Sequence, residues 1–140
     1  MSRTVLIIED SATQARIIAR MFAQQGCEVV TASSLTEARA QLDVTRFYLI
    51  LADIFLGEDN VLDHMAELRE RAPGTPIGIM SAGQRNDPVM IRTMLNKARR
   101  EQADYLLPKP FSYVDVKQIC TSIDSRDQTD LSQQLSALRA

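Results

Sequence analysis

The chain is short of several things, and each shortage excludes a class of function. It has one histidine, His64, in 140 residues. That imidazole falls on the third helical segment and reads as exposed rather than catalytic. Its two cysteines, Cys27 and Cys120, have neither metal-ligand spacing nor a CxxC partner, so they read as reduced thiols in the core. There is no basic excess: the net charge is -2, which argues against a nucleic-acid-binding surface. No apolar run is long enough to cross a bilayer, and no membrane partner is expected. The N-terminus reaches Val5 after a single arginine and lacks a signal-peptide layout. The expectation is a soluble, cytoplasmic protein.

What is present is an ordinary globular composition, 45% hydrophobic and 24% charged, sized for one domain. Short apolar runs alternate with amphipathic segments. Val5 to Ile8 is β-branched and continuous, as a buried strand should be. Ser11 is an N-cap for a helix carrying Ala15, Ile18, Ala19 and Phe22 at helical spacing, stopped at Gly26. Cys27 to Thr31 reads as a second strand. Ser34 with Glu37 reads as a capping box. Phe47 to Ala52 is a third strand ending at Asp53. A helix starts at Asp59 or Asn60, runs to about Arg71 and ends before Pro73. Pro76 to Met80 is a fourth strand ending at Ser81. Asp87 and Pro88 open a helix that turns Ile91, Met94, Leu95 and Ala98 inward. Ala103 to Leu107 is a fifth strand, followed by Lys109 and Pro110. Tyr113 to about Ile123 is a fifth helix with Val116, Ile119, Cys120 and Ile123 on one face. The methionines Met21, Met65, Met80, Met90 and Met94 read as packing.

Five strand–helix repeats imply an α/β domain with a doubly wound parallel sheet covered on both faces. Ligands of such sheets bind at the carboxyl ends of the strands. Those ends carry Glu9 and Asp10, then Asp53, then Ser81, then Lys109. Gathered at one edge they make a pocket of three carboxylates, one hydroxyl and one ammonium. Adjacent carboxylates repel, and burial makes that worse. A hard divalent cation such as Mg²⁺ would correct the excess, taking one or two carboxylates directly and keeping several waters.

These residues, each at the end of its own strand, resemble the receiver domain of two-component response regulators. The likeness runs from about Thr4 to Ile123. It rests on Glu9-Asp10, Asp53, Ser81-Ala82 and Lys109-Pro110-Phe111. The resemblance implies a flavodoxin-like (βα)5 fold with strand order 2-1-3-4-5. It implies that Asp53 is the phosphoryl acceptor, a carboxylate nucleophile forming an acyl phosphate. Asp10 and Asp53 would bind Mg²⁺ through their side chains and Phe55 through its backbone carbonyl, with Glu9 direct or through water. Lys109 would pair with Asp53 and then with the phosphoryl group, and Ser81 would donate to a phosphoryl oxygen. Ala82 would leave room for phosphate, and the Lys109-Pro110 bond would be cis. The partners implied are a histidine kinase or a histidine phosphotransfer protein, with signalling by protein contact or phosphorelay. Such a protein is not an enzyme in the usual sense.

The chain departs from the family pattern in four places. The loop after Asp53 usually carries Met-Pro and Asp-Gly pairs, and here reads Phe55-Leu56-Gly57-Glu58-Asp59-Asn60-Val61. The aromatic switch position falls on Leu106, while Tyr105 points to the opposite face of its strand. The interval from Ser81 to Lys109 is longer than typical, with the extra length inside Gly83 to Gln102. Phe55 and Gly83 occupy positions that tune dephosphorylation, and neither side chain can position a water; a persistent phosphoryl group is expected.

Taken singly, each site residue has a plainer use as a solvated loop acid, a cap or a surface charge. All those uses would have to coincide at matched strand ends. Two rival readings share the architecture. A flavin-binding protein needs a phosphate loop after strand one, where Glu9-Asp10 would repel phosphate. A pseudo-receiver would be an interaction module without phosphate turnover. The expected organisation is a receiver over residues 1–124, then a tail over 125–140 with no output domain. Leu131, Leu135 and Leu138 share a helical face, so the tail reads either as frayed or as a short helix docked on the domain or on a second copy in a homodimer.

Overall fold

A computed structural model describes the backbone of residues 3–81 and 88–139, with side chains except at 90, 91, 94, 95 and 127–139. The elements in order are β1 (Thr4–Ile8), α1 (Ala12–Ala23), β2 (Glu28–Ala32), α2 (Leu35–Val44) and β3 (Leu49–Asp53). A small hairpin follows, β4 (Phe55–Leu56) and β5 (Asp59–Asn60), then a 3-10 turn over Val61–His64 leading into α3 (Met65–Arg71). The chain closes with β6 (Ile77–Ser81), α4 (Pro88–Arg100), β7 (Tyr105–Pro108) and α5 (Tyr113–Arg139).

Five strands form one parallel sheet in the order β2-β1-β3-β6-β7. With the hairpin strands set aside, this is the expected 2-1-3-4-5 order. Its middle strands are the continuous apolar runs: Val5 to Ile8 and Leu49 to Ala52 are fully buried. Alternate residues face opposite sides, so the core is divided in two. Leu6, Ile8, Ile50 and Ile79 pack under α2, α3 and α4. Val5, Ile7, Leu49 and Leu51 pack under α1 and α5 with Phe22, Ile119 and Ile123. Burying one such Leu or Ile side chain contributes roughly 1.5–3 kcal/mol.

Local signals hold at the helix starts. Ser11 Oγ accepts from Gln14 N at 3.3 Å, and Ser34 Oγ accepts from Glu37 N at 3.2 Å. The reciprocal half of the second cap is displaced: Glu37 Oε2 takes the N–H of Ser33, at 2.7 Å, rather than that of Ser34. Asn60 caps the 3-10 turn through Leu62 N at 3.0 Å, so the third helical segment starts tighter than an α-helix. Asp59 belongs to the hairpin instead. Gly26, with φ +81°, ends α1 in a conformation that costs glycine little.

Helix α5 differs from expectation. Its backbone continues unbroken from Tyr113 to Arg139, with no break at residue 124. The expectations for Ala82, Gly83 and Asp87, and for the inward side chains of Ile91, Met94 and Leu95, fall outside the described residues. Ala98 is buried as expected. Among the described residues no helix is long and apolar enough to cross a membrane.

Candidate functional site

The carboxyl ends of β1, β3, β6 and β7 meet at one edge of the sheet. Parallel pairing sets the register: Ile8 lies opposite Ala52, Asp53 opposite Met80, and Ser81 opposite Pro108. The residues that follow or end these strands therefore project from a common rim. Glu9 is held by its backbone N–H to Ala32 O at 2.9 Å, and Lys109 by its N–H to Ser81 O at 2.8 Å.

Glu9, Asp10 and Asp53 each offer a carboxylate oxygen within 4.8 Å of the others. Glu9 and Asp53 are buried, and Asp10 is exposed. Lys109 Nζ bridges the buried pair, 3.1 Å from Glu9 Oε2 and 3.2 Å from Asp53 Oδ2. Burial pushes the Glu9 carboxyl above its ordinary range, and sharing a hydrogen bond with Asp53 pushes the same way, while Lys109 counteracts. One ammonium against three carboxylates leaves the cluster over-negative. A small oxygen-seeking cation fits that donor set.

Asp10 is tied to the loop that follows β3, since Gly57 N donates to Asp10 Oδ2 at 3.1 Å. That loop is a two-residue hairpin: Phe55 pairs with Asn60 and Leu56 with Asp59, leaving Gly57 and Glu58 at the turn. Gly57 has φ +60°, the conformation such turns demand. Leu56 is buried while Phe55 is 37% exposed at the site's edge. Ser81 ends β6 on the neighbouring strand and is half-buried. The Lys109-Pro110 bond is cis, as expected.

Leu106 and Tyr105 lie on opposite faces of β7, as the alternation requires. Leu106 packs toward the α2–α4 side and Tyr105 toward α5. The Tyr105 hydroxyl shares a hydrogen bond with Ser122 Oγ at 2.9 Å. His64 is half-buried, with Nδ1 3.7 Å from Glu67 Oε1 and outside the acidic cluster. Cys27 and Cys120 are both buried and free. Burial, with Cys120 alongside, pushes the Cys27 thiol up to about 12.

Sequence reasoning missed Gln14. Its Oε1 accepts from Lys109 Nζ at 2.7 Å, the shortest of the lysine's three hydrogen bonds among the described residues. The signal was available: Gln14 sits one turn before Ile18, on the inward face of α1, where an amide has no packing reason to be.

The chain matches the family described as "Response regulator receiver domain" over residues 5–121. It is 33% identical over 108 residues to the alginate biosynthesis transcriptional regulatory protein AlgB of Pseudomonas aeruginosa, a match covering 77% of this chain and 23% of that protein. It is 36% identical over 87 residues to transcription factor SKN7 of Chaetomium thermophilum, covering 61% of this chain and 11% of that one. The chain thus spans about a quarter or less of the length of these relatives. Among solved structures it superposes on chemotaxis response regulator CheY4 of Vibrio cholerae with a TM-score of 0.73 at 21% identity, covering 88% of this chain and 99% of that one. A CheY-like receiver domain protein from Methanospirillum hungatei gives 0.77 at 18% identity, covering 92% and 99%. These structures share its fold.

Proposed function

This chain belongs to the response regulator receiver domain family, and from that premise we propose that it accepts a phosphoryl group on Asp53 in a Mg²⁺-dependent reaction. Receiver domains are signalling domains, and phosphorylation on aspartate is the family's general activity. The observation that carries the assignment to Asp53 is its position: a buried carboxylate 3.2 Å from Lys109 Nζ, clustered with Glu9 and Asp10 at the sheet's carboxyl edge.

In this reading an Asp53 oxygen attacks phosphorus, the bond from phosphorus to the donor's imidazole nitrogen breaks, and that nitrogen leaves with the electron pair. Phosphoryl transfer needs little covalent help from the protein, chiefly positioning and neutralisation of charge. Glu9, Asp10, Asp53 and the Phe55 carbonyl would hold Mg²⁺. Bound there, the ion supplies charge neutralisation for the phosphoryl oxygens. Lys109 pairs with Asp53 in the resting state and with a phosphoryl oxygen afterwards. Ser81, one strand over, donates its hydroxyl to another. The donor is a histidine kinase or a histidine phosphotransfer protein, and output proceeds by protein contact or by passing the phosphoryl group on. Phosphorylation would bias a two-state surface of α4, β7 and α5.

Leu106 in place of an aromatic, and the hairpin after Asp53, favour a second reading: an interaction module that never turns phosphate over. Intact-mass spectrometry after incubation with a small phosphodonor decides between them. A gain of one phosphoryl group that needs Mg²⁺ and is lost in Asp53→Asn supports the acceptor reading. No gain under any condition supports the interaction module.

A further inference from the structure

Lys109 has three N–H donors, and three acceptors meet them: Glu9 Oε2 at 3.1 Å, Asp53 Oδ2 at 3.2 Å and Gln14 Oε1 at 2.7 Å. The ammonium has no acceptor capacity, so the amide atom facing it is the oxygen. The nearest of the three is therefore the neutral one, although a carboxylate is the stronger partner for an ammonium. The amide oxygen thus shares with the two carboxylates in setting where the lysine head sits.

Gln14 is itself well anchored. It lies in the first turn of α1, where its backbone N–H donates to the Ser11 cap at 3.3 Å. One turn on, Ile18 is buried in the core. The Gln14 side chain lines a cleft between α1 and the segment after β7, whose other walls are Ile17, Ile18, Met21, Pro110 and Phe111 around Lys109. In that apolar lining the amide oxygen meets the ammonium.

We propose that Gln14 is a positioning residue for phosphoryl transfer to Asp53: its amide oxygen occupies the third donor of the Lys109 ammonium and fixes how that ammonium sits on the acid pair. This rests on the reading of Asp53 as the acceptor. The physical argument concerns competition. An ammonium with only Glu9 and Asp53 as acceptors turns its third donor onto the same carboxylates and settles deeper between them. There it covers oxygens that the attack on phosphorus and a divalent cation both need. A third, neutral acceptor takes that third donor instead, leaving those oxygens available without adding negative charge to an over-negative cluster.

A merely structural role makes a different forecast. If Gln14 only fills space, an apolar residue of similar size suits the cleft at least as well. Gln14→Met keeps its length and shape, and Gln14→Leu keeps its volume; both lack the acceptor. The test compares wild type and both variants in two measurements. One is the rate of phosphorylation by acetyl phosphate at saturating Mg²⁺, followed by intact mass. The other is Mg²⁺ affinity, followed by backbone amide NMR shifts without any phosphodonor.

The expected result is a rate lowered about ten-fold in both variants, the size of one lost charge-assisted hydrogen bond. Mg²⁺ affinity should fall with it, while thermal stability stays at or above wild type. Wild-type rates in both variants overturn the assignment, as does a loss in Leu that Met does not share, which is the mark of packing. If the wild type takes no phosphoryl group, the reading of Asp53 fails, and the Mg²⁺ titration still decides on Gln14: equal affinities in all three proteins overturn it.

Discussion

Two buried acids, Glu9 and Asp53, share a single lysine, and much of the site's behaviour follows from that ratio. Glu9, Asp10, Asp53, Ser81 and Lys109 were legible in the sequence because each interrupts or ends an apolar run, where a charge or hydroxyl has no packing reason to be. Gln14 was not read, since one amide among the inward positions of α1 looks like a small irregularity of a helix pattern. The same residue scale would govern how long a phosphoryl group on Asp53 lasts. Phe55, two residues after Asp53, has no group that can orient an attacking water. The acyl phosphate is therefore expected to persist longer than in fast chemotaxis regulators. Decay followed by intact mass after removal of the phosphodonor checks this, and decay within seconds would reject it.

At the scale of elements, the long apolar strands were read to within a residue or two. The hairpin of Phe55–Leu56 and Asp59–Asn60 was not, because two-residue strands carry no period. Nor was the 3-10 start before α3, since the Asn60 cap looks the same before either helix type. Strand β6 depends on a glycine for contact rather than for backbone freedom. A β-carbon at Gly78 would stand 2.9 Å from Leu51 Cδ1 and 3.4 Å from Tyr105 Cβ. Leu51 is fully buried, so it has little room to give. Gly78→Ala is expected to cost about 1–3 kcal/mol of stability by overpacking, read from urea unfolding. A wild-type midpoint would show that the sheet absorbs the methyl.

Helices α2 and α3 are joined by an ion pair whose pH dependence has a definite sign. Glu67 accepts from Arg39 at 2.7 and 3.0 Å and from Arg71 at 3.1 Å. Chiefly through Arg39, its carboxyl falls from an ordinary 4.5 to about 2. A depressed folded value means stability that is present above 4.5 and is lost as pH falls through about 2. Side chains a third exposed are screened by solvent, so the contribution is modest. Melting temperature against pH should separate wild type from Glu67→Gln at neutral pH, with the two curves converging through that acid window. Parallel curves across it would show that the pair contributes nothing.

Over the whole molecule, the site exists only because the topology gathers residues as far apart as Glu9 and Lys109. Alternation of strands and helices, with the rule that parallel sheets bind at their carboxyl edge, was enough to predict that gathering. The extent of α5 was not legible in the same way. The stretch after Asp124 is polar, with Leu131, Leu135 and Leu138 as its only leucines, and its composition suits a frayed tail as well as a helix. A face of three leucines in a polar stretch is a weak signal, and the backbone continues to Arg139 regardless. The central claim is chemical, that Asp53 and no other acid forms the acyl phosphate. Borohydride reduction of the phosphorylated protein, followed by peptide mass mapping, tests it most directly. Reduction converts the phosphorylated aspartate to homoserine, and the account predicts that conversion at position 53 alone, dependent on Mg²⁺. Homoserine at Asp10 or another carboxylate, or none at all from protein that carries the phosphoryl mass, would contradict it.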